Sequence, residues 1–262
     1  MTTAVEGFTP RYEVAAPTAA PRPFGLLSLA VQAAGGAPAT AYQHGVRYWS
    51  EMCDLNTGSL EGFCPDGEKE ITPYAPVPVE GAPFLVTSGV VCVSPNFDAE
   101  DRATAHLARG EQHRAETVFW EQQTTRPDLV DLGEAPTPDC ALGKLEAHAA
   151  KNYAGAPVLH VPTRYLPVLA ANHLLTRTGD RLETVWGTRI VVGSGYPGEP
   201  GDETLTLLVT GEVGIWRTAI VATPDFDART NQRSAVAERL YVLTADCLAA
   251  TITVPACPGG AP

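Results

Sequence analysis

Apolar positions recur at helical spacing in one long stretch of this chain. Ala103, Leu107, Ala115, Val118 and Phe119 form a stripe between Ala99 and about Gln122. Asp98-Ala-Glu-Asp101 opens it, and acids in a first turn suit the positive end of the helix dipole. At ~1.5 Å per residue this is a rod of roughly 35 Å. Gly110, in its middle, predicts a point of close packing. A second helix is predicted from Cys140 to Tyr153, with Gly155 as its stop. A third starts at Pro162-Thr-Arg-Tyr-Leu and ends near Thr176-Arg-Thr-Gly179.

The remaining segments read as strands. Residues 83–93 hold two apolar, β-prone runs interrupted by Ser88-Gly89. Val158-Leu-His-Val161 is a short strand of the fully buried type. Asp180 to Tyr196 reads as a hairpin turning at Trp186-Gly187, and Leu205–Gly211 and Val213–Val221 read as a pair. Gln232 to Leu243 alternates loosely, and Leu248 to Pro255 is a last strand. Helices mixed with antiparallel strands give the α+β class. Residues 1–23 are rich in Ala, Pro and Thr and read as an extended arm or a tail. Residues 42–75 place aromatics among turn residues, as a two-stranded excursion with a loop at its tip would. Exposed aromatics on such an excursion are explained by packing on a neighbour. That makes Tyr48, Trp49, Phe63 and Tyr74 candidates for a subunit interface, together with Lys69, which lies in the same loop region.

Composition narrows the picture. Charged residues are 18% of the 262, low for a fully solvated monomer, and the net charge is −12. Such a chain has no electrostatic footprint for binding nucleic acid, although it could line a compartment that holds it. No apolar run reaches the ~18 residues of a membrane span. The run from Phe24 to Ala34 lacks the basic start and cleavage pattern of a signal peptide, so cytoplasmic synthesis is expected. The six cysteines contain no CxxC pair, and a cytoplasmic site favours free thiols. If the protein ends outside the cell, the candidate disulfide is Cys53 with Cys64, which flank a turn-rich loop.

A search for chemistry finds little. There is no GxSxG, Walker loop, HExxH, GxGxxG or EF-hand loop. The nearest metal-like set is His106, Glu111, His113 and Glu116 on the long helix, where His106 and His113 share a face. A solvated helix face is the better explanation. His160, inside an apolar strand, reads as a satisfied core histidine. Trp49, Trp120, Trp186 and Trp216 read as core or interface residues. No catalytic residue, metal site or cofactor is assigned, and the chain is expected not to be an enzyme.

The order of elements carries a resemblance. An arm and a loop excursion lead to Pro83-Phe84-Leu85, then to the helix from Asp98 to Trp120. Val158-Leu-His-Val-Pro162 follows, then Leu182 to Val192, Ala237-Glu-Arg-Leu-Tyr241 and Ala249 to Val254. This order resembles the Hong Kong-type tailed-phage major capsid fold, which encapsulins share. Asn231, Glu238, Arg239 and Ala250 fit its C-terminal pattern. The resemblance implies an N-terminal arm (1–41), an extended loop (42–75), a peripheral domain with a spine helix (76–138 and 225–262) and an axial domain (139–224). It implies a structural subunit that self-assembles into pentamers and hexamers of an icosahedral shell, in a virion assembled in the bacterial host cytoplasm. Its partners would be copies of itself and other capsid, portal or scaffold proteins. It would enclose DNA without sequence-specific binding and would not touch a membrane. The alternatives are an encapsulin-type nanocompartment shell and a small metal-dependent enzyme using the His106/His113/Glu116 face.

Overall fold

The computed structural model describes residues 23–29, 31–32, 39–55, 73, 75–92 and 98–256. Its elements, in chain order, begin with α1 (Leu26–Leu29), β1 (Val31–Gln32), α2 (Ala41–His44), β2 (Val46–Ser50), β3 (Val77–Gly81) and β4 (Pro83–Cys92). There follow α3 (Ala99–Thr124), β5 (Val130–Glu134), α4 (Pro138–Asn152), β6 (Val158–Pro162), a 3-10 turn (Thr163–Tyr165) and α5 (Leu166–Ala171). The rest is β7 (Leu175–Thr178), β8 (Arg181–Thr184), β9 (Arg189–Gly193), β10 (Thr204–Thr210), β11 (Val213–Arg217), β12 (Val221–Asp227), β13 (Gln232–Ala245) and β14 (Ala249–Pro255). The class is α+β, as expected.

The long helix α3 starts where the sequence places it. The Asp98 carboxylate accepts from the Asp101 amide at 3.1 Å, capping one free N–H of the first turn. Gly110 does not mark close packing: it is exposed, and a side chain there would meet nothing within 4 Å. In α4, Pro138 stands in the first turn, where its missing N–H costs nothing. The third predicted helix is shorter than expected. It ends at Ala171, and Leu175–Thr178 is instead a strand turning back at Gly179, whose φ of +64° favours glycine.

Two larger sheets form, with a two-stranded ladder of β2 and β3 beside them. In the first, β13 is the central strand. It pairs antiparallel with β4 along one edge and with β12 and then β11 along the other; β1 lies parallel to β11. The second runs β5-β14-β10-β6-β9-β8-β7. Helix α3 covers the first sheet with Ala103, Leu107 and Ala115. Its later turns reach the second sheet, where Phe119 lies 4.9 Å from the His160 ring of β6. The other face of the second sheet buries Leu142, Leu145 and Ala149 of α4 and Leu169 of α5.

Two expectations about strand order do not hold. β10 and β11 are joined by two residues yet do not pair: β10 lies between β14 and β6, and β11 between β13 and β1. Sequence proximity suggests a hairpin, but the link is held elsewhere. The Gly211 amide donates to Leu248 O at 3.0 Å, and a side chain on Gly211 would come within 2.7 Å of Asp246 Cβ. The chain therefore crosses between the sheets at residues 211–212, not near 224, and returns at 246–248, so that β14 belongs to the second sheet.

Candidate functional site

The two crossings lie side by side and form a clamped junction. The Asp246 amide donates to Glu212 O at 3.0 Å. The Tyr153 hydroxyl, at the end of α4, donates to Asp246 Oδ2 at 3.1 Å and accepts from the Glu212 amide at 3.0 Å. Burial pushes that phenol well above its ordinary pKa. Arg126, just past α3, donates to the carbonyls of Ala245, Asp246 and Cys247. It also pairs with Asp128 at 2.6 Å, which holds that carboxyl below its ordinary pKa. Cys247, in the return crossing, forms a disulfide with Cys53, 194 residues away. Cys64 is thus not the partner of Cys53, since a disulfide sulfur has one partner; Cys64 itself lies outside the described residues. Spacing along the chain favours the near cysteine, whereas the fold brings the base of the excursion onto the junction.

The helix face singled out for metal binding does other work. Glu116 is fully buried and accepts from the amides of Leu26, Ser194 and Gly195 and from the Ser194 hydroxyl, at 2.7–3.2 Å. It ties the N-terminal segment and the loop after β9 to α3. Glu111 accepts from Arg239 Nη1 at 2.8 Å and from the Tyr241 hydroxyl at 2.6 Å. Arg217 adds a second cation at 3.8 Å. Burial, then Glu111, raises the Tyr241 phenol to about 12. His106 shares a 2.6 Å hydrogen bond with Ser88, and His113 is exposed. Among the described residues no three His, Cys, Asp or Glu side chains converge as metal ligands would. His160 is a satisfied core histidine, between the Tyr196 hydroxyl at 2.8 Å and the Thr210 hydroxyl at 2.9 Å. Burial lowers its pKa to about 3.

What the molecule presents outward is apolar at several places. Trp49, on β2, is 62% exposed, whereas its neighbour Tyr48 turns inward and is half-buried against the core. Phe63, Lys69 and Tyr74 lie outside the described residues, as does most of the predicted arm. The turn between β8 and β9 offers Val185 and Trp186, and it is built stiffly: Glu146 accepts from the hydroxyls of Thr184 and Thr188 at 2.8 and 2.7 Å. The face of the first sheet opposite α3 carries Leu85, Val91, Val221 and Val236, all exposed. Side chains alternate across a strand, so Val86, Ser88, Ala235 and Ala237 take the helix side and leave these on the other. Among the described residues no helix is long and apolar enough to cross a membrane.

No protein-family model and no curated protein matches the sequence. Solved structures do match. The holo-SrpI encapsulin complex of Synechococcus elongatus PCC 7942 is similar with a TM-score of 0.51 at 13% identity, over 84% of this chain and 86% of that one. The capsid of Ralstonia phage GP4 gives 0.51 at 8%, over 82% and 85%. The capsid of the native GTA particle gives 0.55 at 8%, over 95% of each chain. The chain has the Hong Kong-type capsid fold. At such identities the fold is what is shared.

Proposed function

We propose that this protein is a structural, non-catalytic shell subunit that self-assembles into pentamers and hexamers of an icosahedral tailed-phage capsid. The single observation that carries the reading is a capsid fold matched along nearly the full length of both chains. The apolar side chains left in the open at Trp49, Trp186 and on the face of the first sheet support it, because a shell subunit buries such surface against several neighbours. In this reading the first sheet with α3 is the peripheral domain and the second sheet with α4 and α5 is the axial domain. Residues 1–41 are the arm and 42–75 the loop that reaches a neighbour, with Tyr48, Trp49, Phe63, Lys69 and Tyr74 near that contact. The partners are copies of the same chain and the other capsid, portal or scaffold proteins of the virion, assembled in the host cytoplasm. The net charge of −12 fits a wall that encloses DNA without binding its sequence.

The test is direct. Negative-stain images of the purified protein should show closed shells, rings or capsomer-like pieces, and deletion of residues 51–70 should abolish them while the core stays folded. A strictly monomeric species under assembly conditions overturns the reading. Nuclease-protected DNA inside intact particles isolated from infected cells separates a phage capsid from an encapsulin, which would enclose protein.

A further inference from the structure

We infer that Cys53–Cys247 is a redox latch that fastens the outgoing limb of the extended loop to the junction between the two sheets, closing after the chain has folded. The two halves of the latch are held differently. Cys247 is buried and fixed: its amide donates to Asp246 Oδ1 at 2.9 Å and its carbonyl accepts from Arg126 at 3.4 Å. Cys53 is half-buried on a limb, Glu51–Leu55, that includes the exposed Met52 and Leu55. Besides the disulfide, the limb's hydrogen bonds include the Met52 carbonyl accepting from the Ala154 amide at 2.8 Å, the Met52 amide donating to Ser50 Oγ at 3.2 Å and Asp54 Oδ2 accepting from the Ala75 amide at 3.2 Å. The strands behind it stay docked without the disulfide, because β3 runs so close to β13 that a side chain at Gly81 would meet Thr244 Cγ2 at 2.6 Å. Breaking the bond therefore removes the limb's one covalent tie to the junction, leaves it on hydrogen bonds that open more readily, and leaves the base in place.

The surroundings suit thiol–disulfide exchange. Cys53 is half-buried and Cys247 buried, so Cys53 is the half of the pair that a small reagent meets first. Ser50 Oγ lies 3.3 Å from Cys247 Sγ, where its hydroxyl stabilises a Cys247 thiolate. With a small disulfide such as oxidised glutathione as oxidant, the Cys53 thiolate attacks one glutathione sulfur and expels the other as a thiol. The Cys247 thiolate then attacks Cys53 Sγ of the mixed disulfide. The Cys53–Cys247 bond forms and the second glutathione leaves, so two protein thiols are oxidised and one disulfide is reduced. A reducing cytoplasm keeps the latch open during folding, and an oxidising exterior closes it. That it then resists shell dissociation rests on the shell reading above.

The experiment compares the purified full-length protein after oxidised glutathione and after a phosphine reductant, beside Cys53→Ser and Cys247→Ser. Peptide mass spectrometry should find the 53–247 crosslink only in the oxidised wild type. Reduction should speed hydrogen exchange over residues 51–55 by about tenfold or more while β13 stays protected. Oxidised particles should dissociate at a higher urea concentration than reduced ones, and both variants should match reduced wild type in either state. Absence of the crosslink, a crosslink of Cys53 to another cysteine, or exchange and urea midpoints indifferent to redox state overturns the latch. If no particles form, the shell reading fails alone, since crosslink and exchange are read on the free subunit. If a variant does not fold, the wild-type comparison decides.

Discussion

Glu111 of α3 and Arg239 of β13 meet at 2.8 Å across the interface that joins that helix to the first sheet. Both side chains are largely shielded, 11% and 16% exposed, and the Tyr241 hydroxyl donates to the same carboxylate. Removing one partner of such a pair strands the other in a poorly solvated place. We expect Glu111→Ala to cost about 2–4 kcal/mol of folding stability, discounted for the residual exposure. Arg239→Ala should cost less, because Arg217 remains as a cation beside Glu111. Urea unfolding of both single variants and the double variant gives the coupling energy; a value near zero would show that the pair contributes nothing to helix docking.

Glu116 accepts from four neutral donors, so its role is to satisfy buried N–H and O–H groups of two separate segments. Replacement by Gln turns one accepting oxygen into an NH2 that faces donors. We expect a loss of about 2–3 kcal/mol. Hydrogen exchange should rise at Leu26 and Gly195 first. Uniform exchange changes over the whole chain would instead mean that the carboxylate acts on global stability alone.

Much of this architecture is legible in the sequence, and the failures have common causes. The long helix α3, its Asp98 cap, α4, β6 with its core histidine and the β8–β9 hairpin all follow from local periodicity and turn chemistry. The pairing of β10 and the partner of Cys53 are long-range facts, set by contacts between segments some 40 to 200 residues apart, and no local rule reaches them. Glu111 and Glu116 carried a signal that the metal reading obscured. Leu107, Glu111, Ala115 and Phe119 step by four, so both acids fall on or beside the apolar stripe. An acid on a buried stripe announces a buried partner, and Arg239 and the amides of residues 26, 194 and 195 are those partners.

His160 predicts a pH dependence. Burial holds its folded pKa at about 3, against about 6.5 for an unperturbed histidine. Between those values the unfolded chain binds a proton that the folded chain does not. The stability that the neutral imidazole contributes is complete above about pH 6.5 and is lost as pH falls toward 3, by at most about 1.4 kcal/mol per pH unit. Urea midpoints at pH 7, 5.5 and 4.5 should decline accordingly, and His160→Gln should flatten the decline across pH 5–6.5, where most carboxylates are already ionised. A variant with the same slope as wild type in that window would assign the decline to other groups.

Trp49 and Trp186 separate assembly from folding. Each is more than half exposed, on opposite limbs of the molecule's architecture: the loop ladder and the β8–β9 turn. Surface substitutions that break no cap, core contact or buried network shift stability by about 0.5 kcal/mol or less. Trp49→Ser and Trp186→Ser should therefore leave the urea midpoint of the subunit almost unchanged. Assembly should still weaken, because each tryptophan hides about 1.5–3 kcal/mol worth of apolar surface when a neighbour covers it, and the effect repeats at every symmetry-related copy of the contact. Sedimentation velocity at fixed protein concentration reads the two outcomes together. Particles that persist at wild-type levels in both variants would place the intersubunit contacts elsewhere, with the open face carrying Leu85, Val91, Val221 and Val236 as the next surface to substitute.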